Sequence, residues 1–132
     1  MANIERFNPP QLAPPPGNRF AHVVRSGNRA WISGQTARDA NGATVGVGNA
    51  KEQAEKVYEN LRIAIGAVGG TLANIVKVTI FLTSENSLTS AREAQNTCWG
   101  DARLPASSMV IVKALAHPDF LIEIEAEAVL DD

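Results

Sequence analysis

The fold is decided by residues 121–129, which read LIEIEAEAV. Apolar side chains alternate here with Glu123, Glu125 and Glu127. Strict alternation predicts a β-strand that has one covered face and one face open to a polar environment. Three carboxylates in a row repel one another, and two interpretations of their face stay open. Either the glutamate face is a charged surface that discourages edge-to-edge pairing of strands, or one of its carboxylates lines a pocket.

A β-hairpin is predicted near the N-terminus. Two strands, over residues 20–25 and 30–35, flank a Gly-Asn turn of the kind that joins hairpin strands. Gly34 lies inside the second strand, which predicts a bulge or a close approach of another group to the backbone. The proline-rich residues 1–18 are predicted to run extended over the surface.

Two helices are predicted from apolar residues at helical spacing. The first spans residues 49–68 and uses Asn49 as its N-cap. Its apolar face carries Val57, Leu61 and Ile65. The second helix begins at Ser87 or Ser90 and ends near Trp99.

The remaining strands are predicted over residues 75–82, 107–115 and 121–130. The order of elements is then β-β-α-β-α-β-β, which predicts an α+β fold with two helices on one face of a mixed sheet. The strand over residues 75–82 is expected to bury Val76, Val78, Ile80 and Leu82. The other sheet face is expected to carry Lys77, Thr79, Phe81, Ser108 and the three glutamates, or the opposite side chains if the register slips. A face of such mixed character predicts a homo-oligomer.

The composition limits the classes of function. The length predicts a single domain over residues 1–132. A net charge of −2 argues against nucleic acid as a partner, because phosphate binding depends on a basic surface. One cysteine, no visible leader and no long apolar run predict a cytoplasmic protein that does not contact the membrane. The two histidines lie far apart in the sequence, and no CxxC or HExxH motif occurs, so no metal site is predicted.

Four stretches resemble, in their order and spacing, the Rid (YjgF-like) family of small trimeric proteins. They are WISGQ at residues 31–35, IVKVTIFL at 75–82, LPASS at 104–108 and IEIEA at 122–126. The resemblance implies a chorismate-mutase-like fold and a homotrimer with small-molecule clefts between its subunits. It also implies hydrolysis of enamines and imines, such as 2-aminoacrylate, to keto acids and ammonia without a cofactor.

The resemblance implies roles for four residues. Glu123 matches the glutamate that positions or activates water. Ser33 and Gly34 match residues beside the substrate, which they contact through backbone and hydroxyl groups. Phe20 matches an aromatic position that is usually a tyrosine in the deaminases, so a hydroxyl is absent here.

Three further positions depart from the family pattern. Ser107 stands where the deaminases carry an arginine that binds the substrate carboxylate, Met109 where cysteine is common, and Arg92 where asparagine is usual. A single hydroxyl replaces a bidentate, charge-assisted clamp at position 107, which predicts a substrate other than 2-aminoacrylate. Arg92 is either an exposed helix arginine or a replacement cation at the mouth of the pocket.

Three functions stay open. The first is hydrolysis of a small, anionic enamine or imine with Glu123 as general acid and base. The second is a trimer that binds or senses a small metabolite without catalysis, which the missing arginine favours. The third, RNA cleavage, is disfavoured by the net negative charge and by the lack of a catalytic histidine pair.

Overall fold

The computed structural model describes residues 2–100 and 103–131. Its strands are β1 (Ile4–Phe7), β2 (Val23–Ser26), β3 (Arg29–Gln35), β4 (Ile75–Leu82), β5 (Ala106–Ile111) and β6 (Ile122–Val129). They form one sheet in the order β1-β2-β3-β6-β4-β5. The β4–β5 pair is parallel and the other pairs are antiparallel, so the sheet is mixed. The α+β class and the mixed sheet are confirmed, and the glutamate strand β6 lies inside the sheet.

The N-terminal segment was predicted to run extended over the surface, and the predicted order of elements left out the strand that the structure has there. Within the range 1–18, of which Met1 lies outside the described residues, β1 pairs antiparallel with β2 from Ile4 opposite Ser26 to Phe7 opposite Val23. The strand is four residues long and mostly exposed, so it lacks the buried alternation that identifies a strand in a sequence. The predicted strand over 20–25 is also shorter, because residues 20–22 lie outside the sheet.

Both helices pack on one face of the sheet. Helix α1 (Ala50–Gly66) begins at Asn49, whose side-chain oxygen accepts a hydrogen bond from the Glu52 N–H at 3.0 Å. Val57, Leu61 and Ile65 are fully buried, as predicted. Helix α2 (Leu88–Trp99) begins at Ser87, whose side chain makes no capping hydrogen bond. No helix in the described residues is long and apolar enough to cross a membrane.

Two predicted strand details are wrong. Val76 is 46% exposed and does not join the buried face of β4, because the pairing with β6 shifts register between Ile75 and Lys77. Strand β5 ends at Ile111 and does not reach position 115. Its partner β4 ends at Leu82, which pairs with Ile111, so the chain beyond has no strand to pair with.

The other face of the sheet is open to solvent in a single chain. The pairs Phe81–Glu123, Thr79–Glu125 and Lys77–Glu127 place these side chains on one side, as predicted. Ile122, Ile124, Ala126 and Ala128 point to the opposite side and are buried under the helices. Trp31 lies on the open face and is 38% exposed. A surface that mixes charges with a large aromatic ring suits contact with another protein surface.

Candidate functional site

A bulge in β3 creates the candidate site. The pairing of β3 with β6 shifts register between Ile32 and Gln35, so the two residues between them leave the regular ladder. A Cβ atom at Gly34 would lie only 2.7 Å from Cδ of Glu123 and 3.0 Å from its Cγ. The absent side chain therefore makes room for Glu123 to lie over β3. The predicted bulge and the predicted close approach at Gly34 are both present.

A cavity of about 290 Å³ opens beside this bulge. Of the predicted site residues it brings together Phe20, Ser33, Gly34 and Glu123. Its other lining residues are Pro16, Thr36, Arg38, Ala116 and Phe120. The walls are therefore mainly apolar, with two hydroxyls, a carboxylate and a guanidinium as the charged or polar side chains, which is the usual make-up of a small-molecule site.

Glu123 differs from the other glutamates of its strand. It is half-buried, whereas Glu125 and Glu127 are exposed. Burial raises the pKa of Glu123 above its ordinary value, and repulsion from Glu125 raises it further. A carboxyl group with a raised pKa, in an open cavity, is suited to both accept and return a proton. This placement favours the pocket interpretation of the glutamate face over the edge-protection interpretation.

A buried hydrogen-bond network holds the bulge in shape. Gln35 Nε2 donates to His22 Nδ1 and to the Ser33 carbonyl, at 3.1 Å in each case. His22 Nε2 donates to the Ala13 carbonyl at 2.6 Å, so Nδ1 is the ring nitrogen that accepts from Gln35. His22 lies just before β2 and is 7% exposed. Both ring nitrogens are occupied, so this histidine supports the site and is not free to react there.

The same network positions Phe20 and Ser33. The edge of the Phe20 ring meets the His22 ring with centroids 5.7 Å apart and an angle of 88° between the planes. Ser33 Oγ donates to the Ala21 carbonyl at 2.6 Å, which leaves its oxygen lone pairs available as acceptors. Phe20 is still 45% exposed and forms an apolar wall of the cavity.

The remaining predicted site residues do not line this cavity in a single chain. Ser107 pairs with Val78 and Met109 with Ile80, so both side chains are on the same side of the sheet as these two buried residues, and Ser107 itself is exposed. Glu123 pairs with Phe81 on the opposite face. Arg92 is exposed on α2. One chain therefore brings together only part of the predicted site. No group of three or more His, Cys, Asp or Glu side chains in the described ranges could hold a metal ion.

Comparison with known proteins identifies the family. The model of the Endoribonuclease L-PSP family matches residues 10–130. The chain belongs to the Endoribonuclease L-PSP family. This family includes YjgF, so the predicted resemblance is confirmed. The crystal structure of Escherichia coli YjgF matches with a TM-score of 0.87 at 26% identity, over 95% of this chain and 98% of that chain.

Three L-PSP relatives are similar over most of their length. A RutC family protein of Pyrococcus horikoshii is 33% identical over 116 residues, which cover 88% of this chain and 90% of the relative. The 2-iminobutanoate/2-iminopropanoate deaminase of Mus musculus is 30% identical over 110 residues, covering 83% and 80%. The 3-aminoacrylate deaminase RutC of Acinetobacter baylyi is 29% identical over 119 residues, covering 90% and 93%.

Two polar residues of α1 that support the site were not predicted from the sequence. Gln53 is fully buried, donates to the carbonyls of Gly46 and Asp119 at 3.1 and 2.8 Å, and accepts from the Leu121 N–H at 2.9 Å. It therefore fixes the segment that leads into β6 and Glu123. Asn60 donates to two carbonyls of the loop after β3, as described below. Both residues fall at helical spacing from the buried Val57, and this is the signal that could have identified them.

Arg38 is the third residue that sequence reasoning missed. It lies three residues after β3, in a loop rich in glycine and small residues, and lines the same cavity as Glu123. The sequence of this loop has no helical or strand periodicity, so no pattern identified Arg38 as a site residue.

Proposed function

We propose that this L-PSP family member hydrolyses a small enamine or imine in the cavity beside the β3 bulge, with Glu123 as general acid and base. The observation that carries the proposal is the Glu123 carboxyl group, half-buried over Gly34 and with a pKa raised by burial. The deaminase names of the mouse and Acinetobacter relatives support the same reaction class. Those names describe imines or enamines of small carboxylic acids, so we propose a small anionic substrate.

The reaction needs water, one carboxyl group and no cofactor. The Glu123 carboxyl group gives its proton to the enamine carbon, which leaves an iminium ion and a carboxylate. Water adds to the iminium carbon while the Glu123 carboxylate accepts a proton from that water. The carboxyl group then gives that proton to the amine nitrogen. The C–N bond breaks and ammonia leaves as the carbonyl group forms, and the carboxylate takes the hydroxyl proton, which restores the starting carboxyl group. A raised pKa keeps more of the Glu123 carboxyl group protonated at a given pH, which suits its role as a proton donor as well as a proton acceptor.

Ser33, Gly34 and Phe20 shape the place where the substrate binds. The Ser33 oxygen can accept a hydrogen bond from a substrate N–H, since its own proton is already donated to Ala21. Gly34 exposes backbone to the cavity and leaves space for Glu123. Phe20 supplies an apolar wall that excludes water from one side of the ligand.

A second subunit completes the site in this proposal. Ser107 and Met109 lie on the sheet face opposite Glu123, so one chain cannot place all three around one ligand. In a homotrimer, the edge strand β5 and the exposed Arg92 of one subunit would lie at the cavity of the next subunit. The open sheet face with its exposed Trp31 supports assembly of this kind. We propose that the trimer acts in the cytoplasm, consistent with a single cysteine.

The second candidate function is binding or sensing of a small metabolite without hydrolysis. It is favoured by Ser107, where the resemblance implies a carboxylate-binding arginine in the deaminases. RNA cleavage, which the family description suggests, is less well supported. His22 has both ring nitrogens engaged in hydrogen bonds, and the described lining of the cavity contains one cation.

Hydrolysis by purified protein separates these candidates. We expect the wild-type protein to accelerate the decay of 3-aminoacrylate or 2-iminobutanoate above the spontaneous rate. Glu123→Gln should lower the catalysed rate by about 10²- to 10⁴-fold, the usual contribution of general acid–base catalysis. Glu127→Gln is the matched control, because Glu127 is on the same strand face but exposed, and it does not contribute to the raised pKa of Glu123. No acceleration of either compound by the wild type would favour the binding function.

A further inference from the structure

The cavity beside the β3 bulge contains a guanidinium group as well as a carboxylate. Arg38 and Glu123 both line it, and neither belongs to an ion pair among the described residues, where the pairs are Lys56–Glu59 and His117–Asp119. The two charged groups therefore face the same space without neutralising each other. A half-buried arginine without a carboxylate partner is unusual, since charges removed from water are normally paired.

The loop holds the backbone of Arg38 firmly. Asn60, which is 2% exposed on α1, donates through Nδ2 to the carbonyls of Thr36 and Arg38 at 3.0 Å in each case. The Val45 N–H donates to the Ala37 carbonyl at 2.7 Å. This hydrogen bond joins the two ends of the loop that contains Arg38. A binding residue on a backbone fixed in this way loses little entropy when a ligand arrives.

The side chain of Arg38 is also oriented before any ligand binds. Its Nε–H donates to the Gly42 carbonyl at 3.3 Å. Gly42 has a φ of 85°, and a Cβ there would lie 2.9 Å from Arg38 Nη2. The glycine thus permits both the left-handed turn and the path of the guanidinium. Since Nε makes the one hydrogen bond of this side chain to described residues, the Nη donors remain available.

We propose that Arg38 is the anion-binding residue of this cavity and that the ligand carries a carboxylate that it binds through its Nη donors. The inference rests on the proposed function of the same cavity and specifies its substrate class. A planar guanidinium binds a carboxylate with two parallel hydrogen bonds, which a serine hydroxyl cannot do. Arg38 lies on the same chain as Glu123, whereas in this proposal position 107 reaches the cavity from a neighbouring subunit. A ligand carboxylate bound by Arg38 would therefore lie on a different side of the cavity from one bound by an arginine at position 107.

Binding of 2-oxobutanoate, the keto acid that hydrolysis of 2-iminobutanoate releases, tests this assignment. Dissociation constants are measured by NMR titration of the ¹⁵N-labelled protein, with the methyl ester of 2-oxobutanoate as the uncharged comparison. Arg38→Gln should raise the Kd of 2-oxobutanoate by about 10- to 100-fold, the value of a hydrogen-bonded charge. The Kd of the ester should change by less than about 2-fold. Arg38→Lys, which keeps the charge but loses the planar fork, should fall between wild type and Arg38→Gln.

Arg25→Gln is the matched control. Arg25 is also partly buried and donates from Nε to the carbonyl of a turn glycine, Gly27, at 3.0 Å, but it does not line the cavity. Its substitution should leave both dissociation constants unchanged. An equal loss of 2-oxobutanoate binding in Arg25→Gln, or no loss in either Arg38 variant, would overturn the inference. Binding of inorganic phosphate as strong as that of 2-oxobutanoate would overturn the carboxylate assignment.

The result is distinguishable from failure of the proposed reaction. Turnover that depends on Glu123 but is accompanied by unchanged binding in the Arg38 variants would refute only the role of Arg38. Weakened binding in those variants, with no enamine turnover by the wild type, would support Arg38 and refute hydrolysis.

Discussion

Gly34→Ala should displace Glu123 without unfolding the protein. The new Cβ would lie 2.7 Å from Glu123 Cδ and 3.0 Å from Cγ. Carbon atoms in ordinary contact lie about 3.5–4.0 Å apart, so the carboxyl group must move by about 1 Å. A displacement of this size at a catalytic group costs about 100-fold in rate, and we expect that loss in turnover of 2-iminobutanoate.

The free energy of unfolding should change little in this variant. The atoms that must move are the end of a flexible side chain that borders an open cavity, and Gly34 does not have a positive φ. A glycine replaced by alanine in a permitted conformation gains about 0.4–1 kcal/mol through the unfolded state, which offsets part of any local strain. Urea denaturation should therefore give a change of no more than about 1 kcal/mol in either direction.

Titration of the Glu123 carboxyl carbon by NMR reports the displacement without an activity assay. The pKa should lie above its ordinary value in the wild type, because of burial, and should fall towards that value when Gly34→Ala pushes the group into water. Gly66→Ala is the control: nothing lies within 4 Å of a Cβ there, at the end of α1, so the Glu123 pKa and turnover should be unchanged. Wild-type turnover together with a wild-type pKa in Gly34→Ala would refute the reasoning.

Three further outcomes are expected. The pKa of Glu123 is higher in the folded state than in the unfolded state, so protonation of Glu123 stabilises the fold. This stabilisation is fully present below the unfolded pKa and is lost as the pH rises through the folded pKa. The stability of Glu123→Gln relative to wild type should therefore increase from about pH 4 towards neutral pH in urea denaturation, and a difference that does not vary with pH would contradict this. Leu61→Ala should lower the free energy of unfolding by about 2–5 kcal/mol, because Leu61 is fully buried; a loss below about 1 kcal/mol would mean that α1 is loosely packed. Light scattering at micromolar concentration should give three times the mass of the chain, and a monomer mass would refute the trimer.

The regular elements could be predicted because their patterns are local. Alternation over residues 122–129 and the β-branched run over 75–82 each identify a strand without knowledge of its partners. The edge strand β1 could not be predicted in this way. Ile4–Phe7 is held by backbone pairing with β2 and buries little, so its side chains carry almost no signal. The exposure of Val76 likewise depends on a register shift against β6, which the sequence of β4 alone does not encode.

The candidate site was also only partly predictable from local sequence patterns. Gly34 and Glu123 were predictable, since a glycine inside a strand and a carboxylate in an alternating run are local anomalies. Arg38, Gln53 and Asn60 act through contacts between a loop and a helix that are distant in the chain. The faces of β5 and β6 show, in addition, that Ser107 and Glu123 cannot meet within one chain.

A crystal structure of the wild-type protein with 2-oxobutanoate tests the central claim most directly. We predict that the keto acid lies in the cavity beside the β3 bulge, with its carboxylate on Arg38 and its carbonyl carbon facing Glu123. Ser107 and Met109 of a neighbouring subunit should border the same ligand. A ligand bound elsewhere, or a Glu123 carboxylate that points into bulk solvent in the assembled protein, would contradict the account.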